Sequence, residues 1–356
     1  MNAIENINGL ISGRNYERVG VFDHFWAEAL QNWTDEGRYS SDDVHDHFDL
    51  DLRVVWGPVD LLPLLGHSET LEESDEWIVT RNGAGAALKH WKHRTGTPEH
   101  IDFAVKERSA WEALIKPKLT PERRRINFEG YRNAKRAAAE QERFFCWSGV
   151  NSFELMHPVC GHEFMLMGMA TDPDWVRDMA MTYAETTIAL QEILFAEEGL
   201  PDGIWYYEDM GFKQRPFMSP AMYRDIIKPA HSKTMDFAHS LGLQVIMHSC
   251  GFIEPLLADM VDAGIDCLQV MEVKAGMDPV RIKQNFGDRL SLFGGMDARN
   301  LVANDRAAIQ AELQEKIPQL MAGFGYILHS DHSIPTTTDY ETYRYFVDEG
   351  LRLGTY

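Results

Sequence analysis

Four cysteines are spread over 356 residues, at 146, 160, 250 and 267, and no two of them form a CxxC pair. That scarcity excludes a disulfide-stapled scaffold and fits reduced thiols in a cytoplasmic protein. Basic residues are short as well: 34 Lys and Arg stand against 55 Asp and Glu, for a formal net charge of -21. A nucleic-acid-binding face needs a basic stripe, so that class is set aside. No run of about 18 apolar residues occurs, which argues against a membrane span. The opening MNAIENINGL has no basic stretch leading into an apolar one, so no secretory leader is read there. P-loop, GxSxG and kinase signatures are missing. GAGAAL at Gly83 lacks the third glycine and the strand–turn–helix frame of a dinucleotide fingerprint.

The chain does contain enough apolar residues, 44%, for a full core. From about residue 143, short apolar runs alternate with amphipathic segments. The runs lie at 144–148, 203–209, 244–250, 267–272, 291–295 and 326–331, with one more at 19–22. The helical segments lie at 152–169, 174–198, 219–241, 253–263, 305–322 and 339–353. Asp172-Pro173 and Ser219-Pro220 mark two of the helix starts. Strands alternating with helices predict βαβ units and a parallel sheet, close to the eight strands of a (β/α)8 TIM barrel. Residues 42–130 break that rhythm: polar and apolar residues alternate, and Asn82-Gly83 is a hairpin signal. The expectation is one barrel domain over 1–356, with an insertion of hairpin and short helices at 42–130.

QVIMHSCG (244–251) ends an apolar run in His248 and Cys250. Residues two apart on a strand share a face, so imidazole and thiolate can meet at one point. At a barrel mouth, that pair suits zinc, while in a core strand it is merely two buried side chains. ILHSDHSIP offers His329, Asp331 and His332 at another strand end, either as ligands or as a helix-capping loop. Glu208 and Asp209 follow a third strand, as catalytic carboxylates, ligands or caps. His157, Cys160 and His162 contain ligand types, but their spacing does not put all three on one helical face. His45 and His47 sit among Asp42, Asp43, Asp46, Asp49 and Asp51 and read as a charged loop edge. Trp205, Tyr206, Tyr207, Met210, Met247 and Met271 cluster near strand ends, as pocket lining or as ordinary core.

SPAMYRDIIKPAHSKTMDFAHSLGLQVIMHSCGF, GMDPVRIKQNFGDRLSLFGGMDARNL and GYILHSDHSIP resemble the uroporphyrinogen decarboxylase superfamily, in its cobalamin-dependent methyltransferase branch. The likeness covers roughly residues 140–353. It implies a TIM barrel with zinc held by an HxC pair and a later cysteine. His248 and Cys250 match the pair, and His332 falls where the later cysteine is expected. Glu208 is then a fourth ligand or a base beside the metal. Tyr207, Met247, His157, Glu272 and Asp297 are expected to touch substrate. The resemblance further implies a corrinoid on a partner protein and a small methylated substrate, for which a methoxylated aromatic is favoured, in a monomer or homodimer. Transfer in the other direction, to a thiol or pterin, and a metal-dependent decarboxylase or lyase of a small carboxylic acid are the alternatives. The arginine-rich RQAGR-like loop of the true decarboxylases is missing here, which argues against a tetrapyrrole substrate.

Overall fold

The computed structural model describes residues 1–41, 43–93, 98–323 and 325–356; Asp42, part of the charged loop edge, lies outside them. Among the described residues, twelve strands follow in chain order. β1 (Gly20–Val21) and β2 (Leu52–Trp56) come first. Next are β3 (Glu69–Glu73), β4 (Trp77–Arg81), β5 (Ala87–Trp91) and β6 (Glu99–Asp102). The last six are β7 (Phe144–Val150), β8 (Gly203–Tyr207), β9 (Gln244–Ser249), β10 (Cys267–Val270), β11 (Ser291–Gly294) and β12 (Tyr326–Leu328). Eight of these form one sheet in the order β1-β12-β11-β10-β9-β8-β7-β2. Every pairing in it is parallel. This is the TIM-barrel-like fold that the alternating texture predicts.

Asp51 joins the two edge strands, β1 and β2. Its N–H donates to the Val21 carbonyl at 2.9 Å. Its buried carboxylate accepts the Val21 N–H at 2.8 Å and both Arg18 guanidinium nitrogens at 2.6 and 2.7 Å. A fully desolvated carboxylate needs such a set of donors.

The connecting helices start where their caps stand. The Asp172 carboxylate accepts the Trp175 N–H ahead of helix Pro173–Glu198, with Pro at its first position. Ser219 does the same for Met222. The stretch expected to be a single helix at 219–241 is Pro220–Met222, a π turn at Tyr223–Ile227 and Lys228–Ser240 in succession. The N-terminal helix Ala3–Ser12, which the sequence pattern did not single out, closes the lower end. The Leu10 carbonyl accepts the Gly325 N–H at 3.0 Å, and the Asn8 carbonyl accepts from Gln244 at 3.1 Å.

Residues 42–130 hold the expected hairpins and short helices, with one difference. β3 to β6 form a separate antiparallel sheet, and β4 and β5 flank the Asn82-Gly83 turn. Leu52–Trp56, however, belongs to the barrel: it pairs in parallel with β7. Only Leu52 and Val55 of its five residues are buried, so it lacks the continuous apolar run of a strand covered on both faces.

Phe22, Trp205 and Phe293 fill the barrel interior, with ring centroids 5.1–6.0 Å apart. Aromatic pairs at such spacing add about 0.5–1.5 kcal/mol each beyond their burial. The site rests on this packed floor. Tyr207 pairs in register with His248, and His248 with Gln269. The three side chains therefore share a face, with Trp205 one step below Tyr207 on β8 and Phe293 in register with Gln269.

Candidate active site

β9 ends in His248-Ser249, just before Cys250, and β8 ends just before Glu208-Asp209. At these two tips the ligand atoms of Asp209, His248 and Cys250 lie within 4.8 Å of one another. His248 Nε2 is 3.2 Å from Cys250 Sγ and 3.3 Å from Asp209 Oδ1. Asp209 Oδ1 also accepts the Cys250 N–H at 2.7 Å, which ties the two strand tips together. Gly211 and Gly251 permit that approach. Gly251 has φ +77°, and a Cβ on it would stand 2.4 Å from the Gly211 carbonyl carbon.

The charges of the trio are coupled. Burial pulls the His248 pKa down, but the neighbouring Cys250 sulfur and Asp209 carboxylate outweigh it and hold the imidazole well above its ordinary value. Burial pushes Asp209 up, while the hydrogen bond and charge of His248 and the hydrogen bonds from Cys250 together outweigh it and leave its pKa lowered. The second His248 nitrogen, Nδ1, meets the buried Gln269 Oε1. An amide oxygen only accepts, so Nδ1 carries a proton, and Nε2, whose own proton a bound metal would displace, is the metal-ligating atom. This donor set of imidazole, thiolate and carboxylate around one point fits zinc.

Above the trio lies a cavity of about 610 Å³ lined by His24, His45, Trp56, Tyr207, His248 and His329, among others. His24 Nδ1 and His329 Nε2 are 3.1 Å apart, and the other His24 nitrogen is 3.2 Å from the Tyr207 hydroxyl. Burial, then the neighbouring histidines, lower His24 far below its ordinary range, and burial takes His329 down to about 3. Both are therefore neutral. Beneath them Asp23 is fully buried and pushed up to about 8 by burial, despite accepting from Ser330 and Tyr343. Asp23, His24 and Gln269 were not singled out in the sequence. β1 is only two residues long, so nothing in the pattern projects His24 to the mouth, and a glutamine is not a ligand type.

The other candidate residues lie as follows. Glu208 faces away from the trio: its carboxylate accepts the Phe153 and Glu154 N–H groups at 2.6 and 3.0 Å and pairs with buried His231 at 2.5 Å. His332 lines the same cavity, stacked on Trp26, outside the trio. Asp331 accepts the Val273 and Ala298 N–H groups, at 2.8 and 2.9 Å. Tyr207 packs against His248 with centroids 4.6 Å apart and the rings tilted by 31°. Met247, Met210, Met271, Trp205 and Tyr206 are buried in the core. His157 bonds Glu154 at 2.8 Å and stacks on His162, while Cys160 is buried. Glu272 accepts the Gly251 N–H at 2.8 Å, and Asp297 caps the helix Ala298–Val302 and pairs with Arg299. His47 bonds Tyr340 at 2.8 Å.

Residues 150–351 match the family model for uroporphyrinogen decarboxylase (URO-D). The chain belongs to the URO-D family. Among solved structures, the fold is similar to a methyltransferase from Methanosarcina mazei, at 16% identity and TM-score 0.69, with 98% of each chain covered. It is also similar to a protein provisionally assigned as a vitamin-B12-independent methionine synthase from Listeria monocytogenes, at 12% identity and TM-score 0.44, covering 94% of this chain and 96% of that one. No curated protein matches the sequence. Among the described residues, no helix is long and apolar enough to cross a membrane.

Proposed function

We propose that this URO-D family member is a zinc-dependent methyltransferase that moves a methyl group between a small methylated compound and a corrinoid carried by a partner protein. The observation that carries this reading is the Asp209–His248–Cys250 trio at the barrel mouth, open to a 610 Å³ cavity. His248 and Cys250 would hold the metal, with Asp209, from the tip of β8, in the third-ligand role that the family resemblance gives His332. When bound, zinc supplies Lewis acidity at the heteroatom that carries the methyl group.

The chain's own groups do the rest. Gln269 orients His248. The rings of Trp56 and Tyr207 give a methoxylated aromatic ring its contact area, and neutral His24 and His329, their nitrogens engaged with each other, with Tyr207 and with the Ser330 carbonyl, line the cavity without adding charge. No Lys or Arg lines this cavity among the described residues, so nothing there pairs with the carboxylates of a tetrapyrrole. The rim residues Trp26 and Trp56, 49% and 54% exposed, give a partner protein an apolar surface beside the opening.

The test is methyl transfer to added cob(I)alamin from a panel of aryl methyl ethers, followed by the change in corrin absorbance. Methylation that requires zinc supports the reading. With zinc-loaded protein, absence of transfer both from every donor and from methylcobalamin to thiols would reject it.

A further inference from the structure

A second cleft of about 640 Å³ lies on the other side of the Trp56–Tyr207 wall. Its apolar surface comes from Val59, Leu61, Leu62 and Leu155 together with those two rings, and its charged residues are Asp60, Glu154 and Asp209. No Lys or Arg lines it among the described residues. Asp60 already accepts the Leu62 N–H at 2.8 Å, so it serves the loop. Glu154 is different: His157 holds one of its oxygens at 2.8 Å, and the group lines the cleft from the first turn of helix Ser152–Thr171. The Ser148 hydroxyl is a further unexplained group. It lines the cleft on the face shared with Trp205, is fully buried, and has no hydrogen-bond partner among the described residues. Buried polar atoms are normally satisfied, so an unpartnered one in a roomy cleft marks a ligand contact.

We propose that this cleft is a binding site for a small organic cation, a protonated or quaternary amine with an apolar body. The aromatic faces of Trp56 and Tyr207 attract a cation through their ring quadrupoles, and Glu154 supplies the opposite charge in a partly desolvated setting. Burial raises the Glu154 pKa, and a bound cation would bring it back down. The apolar wall takes the body of the ligand, and the Ser148 hydroxyl takes a hydrogen bond from it or gives one to it. The cleft reaches Asp209, so its occupant lies beside the reaction centre. The site stands on the cleft's own walls and does not depend on the methyl-transfer reading.

The test compares choline with its neutral isostere 3,3-dimethylbutan-1-ol by calorimetry on the full chain. Choline is expected to bind at least about tenfold tighter, the size of a partly desolvated cation–π contact plus one charge pair. Glu154→Gln and Trp56→Ala, each confirmed folded by its thermal transition, should each remove most of that preference. Equal binding of the two compounds, no binding of choline, or an unchanged preference in Glu154→Gln would overturn the proposal. Methyl transfer plays no part in this measurement, so its outcome is independent of the assay with cob(I)alamin.

Discussion

Replacing Gln269→Leu tests how the barrel aims its metal ligand. Gln269 is fully buried between His248 and His329. Its oxygen accepts the His248 Nδ1–H. Its Nε2 reaches His329 at 3.5 Å, a long contact that contributes little, and His329 keeps its 3.1 Å partner His24. The substitution therefore strands one buried donor, the His248 Nδ1–H, at a cost of about 1–3 kcal/mol. It also frees the imidazole to turn. Loss of such an outer partner typically weakens a metal by about 10–100-fold. Zinc affinity is read by competition with a chromophoric chelator, and the stability of the metal-free protein by urea unfolding. Gln269→Leu should lose on both, whereas Gln269→Glu, which restores an acceptor at that point, should recover zinc affinity. Wild-type zinc affinity in Gln269→Leu would refute the idea that this amide orients His248.

Three further outcomes are expected. Asp51→Ala strands the Val21 N–H and the Arg18 guanidinium at the β1–β2 seam; Arg18 is 35% exposed, so the loss in urea unfolding should be about 2 kcal/mol, below the 3–5 of a fully buried pair. Asp23 is raised by burial to about 8 from an ordinary value near 4, so its contribution to stability is full below pH 4 and is lost as pH rises through 8. The stability of Asp23→Asn relative to wild type should therefore climb between pH 4 and 8 and level off above, and a flat difference across that range would show that Asp23 is not strained. Asp209→Ala should lower zinc affinity at least about tenfold while His332→Ala leaves it near wild type; the opposite ranking would make His332 the third ligand.

Much of the barrel was legible because its later strands are covered on both sides and so read as short apolar runs between capped helices. β2 was harder to read. Only Leu52 and Val55 of its five residues are buried, so periodicity could not separate it from the exposed strands that follow. Strand alternation put His248 and Cys250 on one face, and the family resemblance marked them as a ligand pair. The same rule applied at β8 separates Tyr207 and Asp209, which line the second cleft, from Glu208, which turns back to the amides of Phe153 and Glu154. The grouping of Asp23, His24 and Gln269 with His329 was not legible, because strands far apart in sequence meet only when the sheet curls, and no spacing along the chain encodes that.

Metal content and coordination test the central claim most directly. Protein purified and reconstituted with zinc should hold one ion per chain, with X-ray absorption showing one sulfur ligand among nitrogen and oxygen. Cys250→Ala should lose that sulfur and most of the zinc while keeping the wild-type unfolding transition of the metal-free chain, since a barrel of this size does not need the metal to fold. Full zinc occupancy in Cys250→Ala, or a bound metal with no sulfur ligand, would contradict the account.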